Sequence, residues 1–171
     1  NHTWSHARLT HLLDRVVRRE IRSTAHALRR AGIPPGPLMR PPYGEIDPRV
    51  RRDVRALGLV PVLWNVDSED WRGGSPRWIA DSILAQLRRH RENIVLQHDG
   101  VRNSPASVAA VPRVVREARR RGYCFGEIDP HGRVVLPVAS ADPAAPDPVP
   151  RTVPAVGSPF DLVIGRATGR A

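Results

Sequence analysis

The sequence predicts an α/β domain with a parallel sheet and crossover helices, closing as a (β/α) barrel. Two observations predict it. Segments with apolar residues at helical spacing alternate strictly with short, continuous apolar runs, the pattern of strands buried on both faces by intervening helices. Pro and Gly punctuate nearly every junction, so each repeat is short enough to return the chain to the same sheet.

The first helix is expected over 9–31, where Leu9, Leu12, Leu13, Val16, Val17, Ile21, Ala25 and Leu28 recur at helical spacing before Gly32. Pro34, Pro35 and Pro37 break it, and a short extended stretch follows at 38–40. Asp47-Pro48 opens a second helix with Val50, Val54 and Leu57 on one face and Gly58 behind it. Residues 59–66 form an apolar run suited to a buried strand. Ser75-Pro76 starts a third helix carrying Ile79, Ile83 and Leu87, and Ile94-Val95-Leu96 is the next strand. Ser104-Pro105 starts a fourth helix with Val108, Val111, Val115 and Ala118, ended by Gly122. Tyr123-Cys124-Phe125 and Val134-Val135-Leu136 read as the last strands. The domain therefore covers 1–136. Residues 137–171 lose all periodicity in Ala, Pro and Asp, which predicts a disordered low-complexity tail. Phe160 to Ile164 is the one apolar patch in it.

The 171 residues are about one domain's worth, and 40% are hydrophobic, enough for a core. The first residues read as the inside of a domain, so a preceding part is expected to be missing, and with it any export signal. No apolar run reaches the ~20 residues that span a bilayer. The net charge is +10 with 27 basic residues, all Arg. These arginines are spread over nearly every helix, and the chain is rich in Ala, Pro and Gly. That suggests codon bias rather than a nucleic-acid patch, which clusters on one face. Attraction to an anionic polymer at a cell surface stays open. Cys124 is alone between two aromatics and reads as an inert core thiol.

Polar and aromatic clusters sit where strands hand over to helices: Asn1 to His6, Arg40 to Gly44, Asp67 to Trp71, and Gln97 to Gly100. In an α/β barrel such loops share one face, where catalytic residues gather. His2 and His6, four apart, would share one side of a helical turn and hold a metal, or else are surface residues. His98-Asp99 is a general acid or base, or a capped loop. Asp67 is an orienting carboxylate or a helix cap, and Asp70 reads as a cap. Trp64 and Trp71 are core aromatics, or a loop Trp stacks on a sugar or walls an acyl pocket. Arg40, stiffened by Pro41-Pro42, is a surface residue or the partner of a buried carboxylate. His11, His26, His90 and His131 read as structural or solvated.

In this order the clusters resemble four of the five motifs of the polysaccharide deacetylase family with the NodB homology domain, carbohydrate esterase family 4. His2-Thr3-Trp4-Ser5-His6 is similar to the second motif and Arg40-Pro41-Pro42-Tyr43-Gly44 to the third. Asp67-Ser68-Glu69-Asp70-Trp71 is similar to the fourth, and Ile94 to Asp99 to the fifth. The resemblance covers 1–136 and implies a partial, distorted (β/α) barrel. The first motif, Thr-Phe-Asp-Asp, is absent and is expected upstream of Asn1. In the family it supplies the general base and a third metal ligand, so the fragment alone lacks that base.

The resemblance implies hydrolysis of N-acetyl or O-acetyl groups on a polysaccharide such as chitooligosaccharide or peptidoglycan. It implies His2 and His6 on a divalent metal, Zn²⁺ or alternatively Co²⁺, Mn²⁺ or Ni²⁺. Arg40 would hold the base, and the Tyr43 backbone N–H would meet the oxyanion. Trp71 and Leu96 would wall the acetyl pocket. His98 would protonate the leaving amine, with Asp67 orienting its ring and favouring its protonated form. An acetylated glycan is the implied partner and the cell envelope or exterior the implied place, without nucleic acid or membrane span. Oligomeric state, metal and glycan are not legible. Two other classes stand beside this one: a truncated glycan-binding homologue without activity, and a basic nucleic-acid binder, for which a steep salt dependence would argue.

Overall fold

The computed structural model describes residues 1–136 and the backbone of 162–165. The chain divides into two compact units, Asn1–Trp64 with Ile128–Arg133, and Asn65–Glu127 with the residues from Val134 onward.

In the first unit the expected helix over 9–31 is broken. A single 3-10 turn, Leu9–His11, precedes helix α1, Asp14–Arg30, and Leu12 and Leu13 between them are extended with ψ of 153° and 150°. The break resets the helical phase. Leu9 is fully buried and Leu13 is exposed, while Val17 and Ile21 of α1 still reach the core. It also makes Asp14 a first-turn residue, where its carboxylate meets the positive end of the helix and bonds Arg49 and Arg52 at 2.8 Å each. Strand β1, Leu38–Met39, helix α2, Pro48–Ala56, and strand β2, Val60–Pro61, form a β-α-β crossover, with Leu38 opposite Val60 in parallel register. Helix α2 starts where predicted, because the Asp47 carboxylate accepts the Val50 N–H at 2.7 Å and Pro48 has no N–H to satisfy. Leu9, Val17, Ile21, Met39, Val50 and Val54 make the core.

The second unit holds strand β3, Val66–Asp67, helix α3, Pro76–Gln86, strand β4, Asn93–Leu96, helix α4, Ser104–Arg120, and strands β5, Cys124–Ile128, β6, Val134–Val135, and β7, Leu162–Gly165. Its sheet order is β3-β4-β7-β5-β6. β3 and β4 are parallel, as the α3 crossover requires, with Asp67 opposite Leu96. β7 lies antiparallel to both β4 and β5. The apolar patch near 160–164 thus supplies a strand, and the rest of the expected tail lies outside the described residues.

Three expectations change here. The run 59–66 is two short strands, β2 and the start of β3, in different sheets. Among the described residues the strands form these two sheets and no closed ring, so the α/β layering holds without barrel closure. Helix α4 turns a different face inward: Ser107, Ala110, Val114 and Ala118 are buried, while Val108 is exposed and Val111 and Val115 are only half-buried. Small Ala110 and Ala118 fit against Ile79, Ile83 and Leu84 of α3 in one core, and Ser107 is drawn inward by a buried carboxylate described below.

Candidate active site

The loop that carries His2 and His6 is not helical. Thr3 and His6 have φ of 65° and 57°, a costly region for side chains other than Gly. What holds the loop is its anchoring. The Asn1 side chain donates to the Ile21 carbonyl at 3.0 Å and accepts the Thr3 N–H, also at 3.0 Å. The Arg40 N–H donates to the Asn1 carbonyl at 2.9 Å. Glu20 on α1 takes the N–H groups of Trp4 and Ser5 at 3.1 and 2.8 Å. Sequence spacing suggested a helical turn; strained turns instead bring the two rings together, with centroids 4.8 Å apart and planes at 72°.

His2 Nδ1 lies 2.7 Å from the Arg40 carbonyl oxygen. A carbonyl only accepts, so Nδ1 carries the proton and Nε2 keeps its lone pair. Burial lowers the His2 pKa, and the charges of His6 and Arg40 lower it further against the opposing pull of the Arg40 carbonyl. A neutral imidazole with its second nitrogen pinned to a carbonyl is the form that metal ligands take. The pair therefore fits a divalent cation as two of its ligands. Among the described residues no group of three His, Cys, Asp or Glu gathers to complete such a site.

The third cluster joins the same unit. Tyr43 stands edge-on to His6, centroids 4.7 Å apart, and the Arg8 guanidinium lies 4.3 Å over its ring. Arg8 also pairs with Glu45. Tyr43 has φ of 60° between buried Pro42 and Gly44. Gly44 is demanded twice: its φ is +70°, and a Cβ there would lie 2.9 Å from the Trp64 ring. Arg40 is buried, 6% exposed, with its guanidinium 5.7 Å from the Trp64 ring centroid. That environment suits a partner to a carboxylate and rules out the surface alternative.

The second unit carries a separate hydrogen-bonded group. The carboxylate on His98 is Asp70, not Asp67. Asp70 Oδ1 lies 2.7 Å from His98 Nδ1, and Oδ2 accepts the His98 backbone N–H at 2.7 Å. Ser107 donates its hydroxyl to the same Oδ2, and Gln97 donates to Ser107 at 3.1 Å. Asp70 is fully buried. Burial alone would raise its pKa, but the hydrogen bonds from the His98 ring, Ser107 and the His98 backbone together hold it at about 2, below the ordinary 3.8. Asp67 instead accepts the Glu69 N–H at 2.9 Å, closing the turn in which Glu69 takes φ of 53°. Asn103 pins this segment by donating to the Asp70 carbonyl at 3.2 Å. The His98 side chain is 27% exposed, and with Nδ1 bound to Asp70 the nitrogen left over is Nε2.

Of the expected pocket walls, Trp71 is 57% exposed and is no core aromatic, while Leu96 is 5% exposed at the end of β4. Sequence reasoning read Asp70 as a cap and passed over Ser107, Glu20 and Arg8. No local signal marked Ser107, since the apolar spacing of α4 pointed to Val108, Val111 and Val115. Thr3, His6, Tyr43 and Glu69 are four of the five non-Gly residues with positive φ among the described residues. Strain thus collects in the candidate loops.

Comparisons with known proteins point to one family. The family profile described as polysaccharide deacetylase matches residues 1–62. A bifunctional xylanase/xylan deacetylase of Cellvibrio japonicus is 38% identical over 138 residues, covering 80% of this chain and 20% of that protein. A chitin deacetylase of Amylomyces rouxii is 34% identical, covering 67% of this chain and 31% of that protein. The chain thus spans less than a third of these curated relatives. The solved family 4 carbohydrate esterase of Streptomyces lividans, in complex with acetate, is similar at 34% identity. Its TM-score is 0.69, over 81% of this chain and 69% of that one.

Proposed function

This chain belongs to the polysaccharide deacetylases of carbohydrate esterase family 4, and from that premise we propose that it contributes to hydrolysis of N-acetyl or O-acetyl groups on a polysaccharide such as chitooligosaccharide, peptidoglycan or xylan. The observation that carries this reading is the His98–Asp70 pair at 2.7 Å. An amine leaves an acyl carbon only once protonated, so deacetylation needs an acid whose ring is oriented and whose charge is matched. Asp70, ionised down to about pH 2, holds the Nδ1 proton and leaves Nε2 to deliver another to the leaving group.

A divalent cation, Zn²⁺ or alternatively Co²⁺, Mn²⁺ or Ni²⁺, held by His2 and His6 would polarise the acetyl carbonyl and acidify water. His2 serves this by keeping Nε2 unprotonated. Buried Arg40 would hold the carboxylate that takes the water's proton. The Tyr43 backbone N–H would donate to the oxyanion, and Trp71 would flank the acetyl methyl. Acetate, bound in the Streptomyces lividans esterase, is the product this reaction releases. Action on wall or extracellular glycans would place the protein in the envelope or outside the cell.

The test is acetate release from acetylated xylan and chitooligosaccharide by the protein that carries this chain, with a parallel metal titration. His98→Ala is expected to bind Zn²⁺ as before and to lose about 10²- to 10⁴-fold in rate. Deacetylation by that variant at the parent rate would overturn the assignment of the acid.

A further inference from the structure

A groove on the first unit is not used by the reaction above. It is open, of about 870 Å³, and runs along α1 beside Trp4, with Arg22, His26 and Arg30 along it and small Ser23 and Ala27 leaving room between them. We propose that this groove binds a carboxylate-bearing sugar of an acidic glycan, with the Trp4 indole under the ring and Arg22 and Arg30 on the carboxylate.

Three observations support the assignment. Trp4 is 63% exposed, and it is presented by its backbone: Glu20 takes the Trp4 and Ser5 N–H groups. An indole held out in this way offers a flat apolar face of the kind that stacks on sugar C–H groups. Second, Arg22, His26 and Arg30 follow one another at four-residue intervals, so the three exposed side chains form one ridge. Third, the other α1 and α2 cations close to acids are committed, as in Arg18 to Asp53 and Arg49 and Arg52 to Asp14. Among the described residues neither ridge arginine, Arg22 nor Arg30, has an acidic partner. Glu20, the acid nearest in sequence, is occupied by the loop amides. The planar forks of two arginines match a carboxylate. Trp4 stands between His2 and His6 in sequence, so a glycan seated on it would continue into the loop assigned to deacetylation. Only that last point rests on the proposed function; the binding itself does not.

Calorimetry on the full chain, with EDTA present to suppress metal-dependent turnover, tests the groove. The probes are xylotetraose carrying one glucuronate, plain xylotetraose, a muramic acid-containing peptidoglycan disaccharide, and a single-stranded DNA oligonucleotide. At least one acidic sugar is expected to bind about tenfold or more tighter than plain xylotetraose, and which one identifies the carboxylate's source. Trp4→Ala and the double variant Arg22→Gln/Arg30→Gln should each weaken it about tenfold, whereas Arg55→Gln/Arg116→Gln, on other helices, should stay within about twofold. All these positions are exposed, and unchanged circular dichroism verifies folding. Equal binding of acidic and neutral sugars would overturn the proposal. So would equal losses from the distant arginine pair, or loss of DNA binding alone on changing the groove. Intact binding in a protein that fails to deacetylate would count against the deacetylase reading and leave the groove standing.

Discussion

Asp70→Asn keeps the side chain's size and removes its charge and one acceptor oxygen. Three donors now meet that carboxylate: the His98 ring and backbone N–H at 2.7 Å each, and the Ser107 hydroxyl. In either orientation the Asn amide turns an NH₂ toward at least one of them. The native carboxyl sits at about 2 instead of 3.8, because these bonds outweigh the burial that opposes them. At 1.36 kcal/mol per unit, that displacement is worth about 2 kcal/mol of folding stability. The folded value lies below the unfolded one, so the contribution is complete above about pH 5 and fades as pH falls toward about 2. Urea denaturation near pH 7 is expected to show the variant less stable by about 2 kcal/mol, with the gap closing between about pH 4 and 2. Turnover should fall about 10²- to 10⁴-fold, since His98 loses the group that fixes its tautomer. A variant as stable as the parent near pH 7, or a gap that stays constant through the acid range, would refute the reasoning.

Ser107→Ala removes one donor to Asp70 and leaves Gln97 only the Ser107 carbonyl, at 3.0 Å; a loss of about 1–2 kcal/mol is expected by denaturation, with the Asp70 carboxyl titrating higher by NMR. Gly44→Ala sets a Cβ 2.9 Å from Trp64 at φ of +70°; it should cost about 2 kcal/mol and shift Trp fluorescence as that ring moves aside. Asp47→Ala removes the α2 cap at 2.7 Å and should lower stability by about 1 kcal/mol with no change in metal binding.

Helix starts were legible because capping is local. Asp47-Pro48 and Ser75-Pro76 each bond an N–H three residues on, to Val50 and Trp78, and the pattern is written in adjacent residues. The helix-strand alternation was legible for the same reason, since burial on both faces leaves unbroken apolar runs. The four candidate clusters were legible because polar residues at the ends of buried strands stand out against those runs.

What local pattern did not contain was phase and partnership. Leu12 and Leu13 continue the helical spacing of α1 but are extended, and only the packing of Leu9 shows where the phase breaks. The core face of α4 runs through Ser107, which no apolar period would select, because a buried carboxylate 37 positions earlier supplies its partner. Asp67 and Asp70 both precede His98 in one motif. The choice between them fell to the left-handed turn at Glu69 and to the α3 crossover, which carries the chain from Asp70 to a residue 28 positions later. Sequence by itself determined most of the helices and buried strands, the candidate loops and the family resemblance. Tertiary structure decided which carboxylate orients His98 and how His2 and His6 meet, because hydrogen bonds between residues distant in sequence exist only once the intervening elements have packed.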